Sequence, residues 1–231
     1  LHLDKMDTTE LKLKLKRIVI DKLLAIGIIK HGNFILKSGV ESSIYFDFRQ
    51  LIGHPTIFQY ICQLAAPIVD SIKSANPGRP IRFLGIPMGA IPLAAFMSQY
   101  FSIPALMLRT VAKDHGTKKL IEGEWNVGDI IILVDDVFTT GTSIGETIEF
   151  ITKNITGANF DLAGRMAPQE AREGNALLDL SNIITVCDRS YGASTAKFPN
   201  LQTIFKLEEF EPTSPITRFP LFQNKIAERL Y

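Results

Sequence analysis

The chain predicts an α/β fold: a central, mostly parallel sheet flanked by helices, with a small N-terminal hood. Three observations predict it. Between residues 81 and 186 short apolar runs alternate with segments of helical period, and such alternation builds a parallel sheet covered on both faces. The run Ile130-Ile131-Ile132-Leu133-Val134 is apolar at every position, as a strand buried on both faces must be. The strand-like segments before residue 50 fall outside the alternation, so they form a separate small unit.

A first helix is expected over 9–25, where Leu13, Leu15, Ile18, Val19, Leu23 and Leu24 are its apolar positions. Short strands at 28–29, 34–36 and 44–48 follow, separated by glycine-bearing turns. Pro55 opens a second helix running to about residue 73, with Ile57, Ile61, Leu64 and Ile68 on one stripe. Asn76-Pro77-Gly78 stops it. The alternating series is then strand 81–86, helix 91–100, strand 105–108, strand 130–134, helix 143–153, strand 160–163, helix 170–180 and strand 183–186. Residues 190–231 are rich in Pro and Phe, with one short helical patch at the end, and read as a C-terminal extension.

At 231 residues the expectation is one domain, 1–231, with hood elements at about 9–50. A hydrophobic content of 46% with 21% charged residues supports a sizeable core. The net charge of +1 offers no field for nucleic acid or an anionic membrane. Cys62 and Cys187 each lie in an apolar segment and read as core residues rather than a disulfide framework. No apolar stretch is long enough to span a bilayer, and residues 1–10 do not read as a secretory signal, so a cytoplasmic location is expected.

Chemistry concentrates where the aliphatic run ends. Asp135 and Asp136 follow it directly, and charges at the end of a buried strand are costly unless something binds them. Thr139, Thr140, Gly141, Thr142 and Ser143 come next, a short loop of hydroxyls around one glycine. Ser143 with Glu146 three residues on has capping-box spacing, and Ile144, Ile148 and Ile151 continue at helical period. Free N–H groups at such a helix start suit a phosphate, whereas ionised carboxylates suit vicinal hydroxyls or a hydrated cation. Diol beside phosphate means a phosphorylated ribose.

This string resembles the phosphoribosyl-pyrophosphate (PRPP) signature of the type I phosphoribosyltransferases, which implies the type I phosphoribosyltransferase fold. Two further segments resemble the orotate branch of that family. Lys37-Ser38-Gly39, followed by Ser42-Ser43-Ile44-Tyr45-Phe46-Asp47, is similar to the turn that borders the base pocket; Lys37, Tyr45 and Phe46 are then the base-binding residues. Arg109 and the stretch Lys113-Asp114-His115-Gly116, with Glu122-Gly123, are similar to the mobile catalytic loop, so Arg109, Lys113 and His115 would stabilise departing pyrophosphate alongside Asp135 and Asp136. Gly85-Ile86-Pro87-Met88-Gly89, again after an apolar strand, matches the pyrophosphate-contacting loop, which puts Met88 and Gly89 on PRPP.

The resemblance implies transfer of ribose 5-phosphate from PRPP to orotate, giving orotidine 5′-monophosphate and pyrophosphate in pyrimidine biosynthesis. It implies Mg²⁺ carried with PRPP, with no metal held by the protein alone, and a homodimer. The strand end near Arg165-Met166-Ala167-Pro168 lacks the Asp-Arg pair with which relatives reach the base, and Arg165 or Arg172 is the expected substitute. Transfer to another base, or a non-catalytic PRPP-binding regulator, are the alternatives at this point.

Overall fold

The structure, a computed structural model, describes residues 8–35, 39, 41–109, 120–155 and 178–211. Six strands form the main sheet: β3 (Ile81–Gly85), β4 (Ala105–Leu108), β5 (Ile121–Glu122), β6 (Ile130–Phe138), β7 (Asp179–Asp188) and β8 (Leu201–Lys206). Their spatial order is β5-β4-β3-β6-β7-β8. All neighbours are parallel except β5, which runs antiparallel to β4 at the edge. The expected mostly parallel α/β sheet is therefore present.

The hood is also present, as a separate two-stranded sheet of β1 (Ile29–Ile35) and β2 (Glu41–Phe46). The short strands expected at 28–29 and 34–36 are one strand, interrupted by a register shift between His31 and Phe34. Gly32-Asn33 makes an irregularity there and not a turn, because pairing with β2 resumes beyond it.

Helix α1 (Thr8–Ala25) packs on α2 (Pro55–Ala75). Helix α2 lies against β7 and β8, and α3 (Ile91–Phe101) against β3, β4 and β6. The side-chain Nδ2 of Asn76 donates to the carbonyl of Ile72 at 2.9 Å, closing α2 where its stop signal lies. In α4 (Thr142–Ile155), Ile144 and Ile151 are buried, as their period requires. The centre of the core is β6, in which Ile130 to Val134 are all fully buried.

Three expectations change. Strand β6 continues through the two carboxylates to Phe138, because β7 keeps pairing alongside it as far as Asp188. The helix read at 170–180 is contradicted at its end, where Asp179 and Leu180 already belong to β7; the rest of it, and the strand read at 160–163, lie outside the described residues. The C-terminal stretch read as an extension supplies α5 (Ala193–Lys197), strand β8 and a 3₁₀ turn at Leu207–Phe210. Its strand lacks regular alternation, since Ile204 and Phe205 are both buried, so period two does not reveal it.

Candidate active site

Strands β3 and β6 are neighbours, yet the chain leaves β3 toward β4 on one side and β6 toward β7 on the other. Such a switch point opens a crevice at the carboxyl ends of the strands. Gly85 pairs with Val134, and the Ile86 N–H donates to the Val134 carbonyl at 2.8 Å, so the loop after β3 departs at the level of Asp135 and Asp136.

That loop turns tightly. A Cβ on Gly85 would stand 2.5 Å from the Ala90 carbonyl oxygen, and one on Gly89 would stand 2.5 Å from the Asp136 Oδ2. Gly89 therefore lies flat against the carboxylate, and Met88 beside it is 81% exposed. The Pro87–Met88 peptide bond is cis.

Asp135 is buried, and its Oδ1 accepts the Asp136 N–H at 3.1 Å; Asp136 Oδ1 in turn accepts the Val137 N–H at 2.8 Å. Burial, reinforced by the Asp136 charge, pushes Asp135 up to about 7. Burial raises Asp136 as well, while its bond from Val137 and the nearby Arg49 guanidinium act the other way. Arg49 belongs to the 3₁₀ helix Phe48–Gly53 after β2; its Nε donates to Asp47 at 3.0 Å and its Nη2 to the Tyr45 hydroxyl at 3.4 Å. The hood thus turns one mixed-charge cluster toward the diacid.

The hydroxyl loop follows. Thr140 and Thr142 share a hydrogen bond of 2.9 Å between their hydroxyls, and Gly141 sits at φ +70°, a region that glycine enters freely. Helix α4 begins at Thr142, and the Gly145 N–H donates to the Gly141 carbonyl at 2.9 Å. The capping box read at Ser143 and Glu146 is thereby contradicted, since Ser143 already lies inside the helix. Two residues that the sequence did not single out support the loop from α5 and just beyond. Lys197 Nζ donates to the Thr140 carbonyl at 2.8 Å, and the Phe198 ring fills the space against Gly141.

Arg109 stands at the end of β4, where its N–H donates to the Leu120 carbonyl at 2.7 Å and its Nε to Glu122 at 2.6 Å. The β4–β5 pair thus brings the ends of the 110–119 segment together. Lys113 and His115 belong to that segment and lie outside the described residues, as do Lys37, Arg165 and Arg172.

On the base side, strand alternation separates two expected neighbours. Tyr45 is half-buried, with its ring 5.5 Å from that of Phe34. Phe46, read as bordering the base, is turned into the core, stacked on Phe48 at 5.6 Å and edge-on to Phe210 at 5.0 Å. What lies over Phe46 is Arg189, its guanidinium 5.4 Å from the ring centre.

Arg189 is the residue that sequence reasoning missed. The strand beside β6 is β7, and it ends in Asp188, paired with Phe138 and followed by Arg189. An Asp-Arg pair therefore does stand next to the diacid strand, whereas the strand end near Arg165, where the sequence showed no such pair, lies outside the described residues. The signal was available: Ile183 to Val186 is a second aliphatic run, leading through Cys187 to Asp188 and Arg189, as Ile130 to Val134 leads to Asp135 and Asp136. Asp188 is spent locally, accepting the Ser190 N–H at 2.8 Å and the Ser194 hydroxyl at 2.6 Å. Arg189 Nη2 donates to the Ser42 hydroxyl and, at 2.9 Å, to the Ile44 carbonyl of the hood, whereas its buried Nε has no partner among the described residues.

Comparison with known proteins agrees with this geometry. A model of the phosphoribosyl transferase domain matches residues 49–155. The orotate phosphoribosyltransferase of Methanothermobacter thermautotrophicus is 33% identical over 175 residues, which cover 74% of this chain and 93% of that protein. The chain belongs to the orotate phosphoribosyltransferase family. Members of this family also occur within longer proteins: a uridine 5′-monophosphate synthase of Caenorhabditis elegans is 35% identical over 180 residues, and the chain spans only 35% of its length. The crystal structure of orotate phosphoribosyltransferase from Aeropyrum pernix shares the fold, with a TM-score of 0.58 at 24% identity, covering 83% of this chain and 96% of that one.

Proposed function

We propose that this protein transfers ribose 5-phosphate from PRPP to orotate, yielding orotidine 5′-monophosphate and pyrophosphate, a step of pyrimidine biosynthesis. The observation that carries the reading is the convergence, at one switch point, of the diacid, the hydroxyl loop, the Gly89 turn and the Asp188–Arg189 pair. In it, Asp135 and Asp136 hold the ribose hydroxyls. Thr139, Thr140, Gly141, Thr142 and Ser143 hold the 5-phosphate, with the α4 N-terminus behind them. Met88 and Gly89 supply backbone to the pyrophosphate. Lys37, Tyr45 and Arg189 face the base, whose carboxylate needs a cation once water is excluded.

The reaction separates charge, since the sugar carbon becomes cationic as pyrophosphate leaves. Acid–base chemistry is a small part of this, so positioning and electrostatics carry the catalysis. Lys113 and His115 act on the leaving group from the 110–119 segment, and the Arg109–Glu122 pair anchors that segment. The donor set fits Mg²⁺, since the adjacent carboxylates of Asp135 and Asp136 give hard oxygen ligands that would hold it together with PRPP. Bound there with PRPP, Mg²⁺ would supply neutralisation of charge on the departing pyrophosphate. A homodimer and a cytoplasmic setting complete the reading. No helix among the described residues is long and apolar enough to cross a membrane.

Loss of orotate absorbance in the presence of PRPP and Mg²⁺ tests the proposal, with uracil and purines as comparators. Orotate is expected to turn over far faster than uracil, which lacks the carboxylate. Equal turnover of the two, or activity with a purine alone, would overturn the base assignment and leave the PRPP site standing.

A further inference from the structure

Ser42 uses its full hydrogen-bonding capacity within the hood. Its hydroxyl donates to the Ile44 carbonyl at 2.7 Å, accepts the Ile44 N–H at 3.1 Å and accepts Nη2 of Arg189. A hydroxyl has one proton and two lone pairs, so this side chain is held in one orientation. Arg189 needs such a fixed partner. Its guanidinium is buried, and among the described residues its bonds go to the neutral oxygens of Ser42 and Ile44 while Nε finds no acceptor. The neighbouring carboxylate of Asp188 is occupied by Ser190 and Ser194. Arg189 thus joins the end of β7 to hood strand β2 while keeping donors and charge uncommitted.

We propose that Ser42 is a positioning residue: its hydroxyl fixes the Arg189 guanidinium between hood and sheet, and through it sets the affinity for the anionic base. The proposal rests on the reading that Arg189 faces orotate. Hydrogen bonds to charged groups are strong enough that losing one raises a dissociation constant about tenfold or more. The Ser42 hydroxyl bonds to Ile44 and Arg189 and to no group of the diacid or the hydroxyl loop among the described residues, so its effect is expected on the base.

Steady-state kinetics on Ser42→Ala, Ser42→Thr, Arg189→Lys and the Ser42→Ala/Arg189→Lys double variant form the test. Ser42→Ala is expected to raise the KM for orotate about tenfold, with the KM for PRPP and the kcat at saturating orotate within twofold of the parent. Ser42→Thr, which keeps a hydroxyl, restores the orotate KM. The double variant is no worse than Arg189→Lys alone, because Ser42 acts through that guanidinium. If Ser42→Ala does not fold, Ser42→Cys, of similar size and a weak acceptor, takes its place with the same expectation. An unchanged orotate KM in Ser42→Ala beside a raised one in Arg189→Lys would overturn the role of Ser42 alone. No effect of Arg189→Lys would overturn the base-site reading on which it stands. Equal losses for PRPP and orotate, or additive effects in the double variant, would make Ser42 a general support of the hood and end the proposal.

Discussion

Asp135 is a carboxylate kept where its charge is costly, buried at the core end of β6 beside a second carboxylate. The folded chain holds its proton up to about pH 7, whereas the unfolded chain releases it in the ordinary carboxylate range. Between those values the folded state binds more protons, so stability is full on the acid side and falls as pH rises through the window. Asp135→Asn removes this penalty. The ligand-free variant is expected to be more stable than the parent at pH 8 by at most about 4 kcal/mol, with the difference shrinking toward pH 4. Denaturant titrations at both pH values check it; equal offsets would place the buried charge elsewhere. The same variant, and more so Asp135→Asn with Asp136→Asn, loses PRPP affinity in calorimetry, because charge-assisted bonds to the ribose are typically worth about 1.5–3 kcal/mol. Stability and function therefore oppose each other at this one residue.

The loops after β3 and β6 are elements defined by the absence of side chains. At Gly141 a Cβ would meet the Phe198 ring at 2.5 Å, in a backbone conformation already unfavourable to other residues. Gly141→Ala is expected to cost about 1–3 kcal/mol of stability and to weaken PRPP binding together. A variant with normal melting and normal PRPP affinity would mean that Phe198 does not fix the loop. The 110–119 segment is polar and charged in sequence, with no sustained apolar period. Lys113→Ala should leave thermal unfolding unchanged and lower kcat more than it raises KM, since its charge acts as pyrophosphate departs. A normal kcat would remove Lys113 from the mechanism.

At the scale of the whole molecule, the first helix and the last described turn are tied together. Lys16 Nζ donates to both oxygens of Glu209, at 2.7 and 2.8 Å, and lies 5.2 Å from the centre of the Phe205 ring. Burial lowers Lys16, and the Glu209 carboxylate works against that. Removing one partner leaves the other charge poorly solvated. Glu209→Ala is expected to cost about 2–4 kcal/mol, whereas Lys16→Met with Glu209→Leu recovers most of the loss. Urea unfolding of the parent and the two variants decides it, and a double variant no more stable than Glu209→Ala would show that the pair does not act as a unit.

The sheet class, the central strand, the helices with clear stripes and the diacid with its hydroxyl loop are all legible in the sequence. Each of these is local: period and composition lie within about twenty residues, and the chemistry of Asp135, Asp136 and Gly141 needs no distant partner to be recognised. Tertiary structure alone decided the rest. Strand β8 is a strand because β7 pairs with it, not because its own pattern demands one. Phe46 is core and Tyr45 is half-buried because the hood settles with one face on Phe48 and Phe210. Arg189 stands next to the diacid only because β7, about fifty residues downstream of it, takes the place beside β6. Its partners Ser42 and Ile44 come from 147 and 145 residues away. Hydrogen bonds and burial across such distances follow from packing, which no window of the sequence contains.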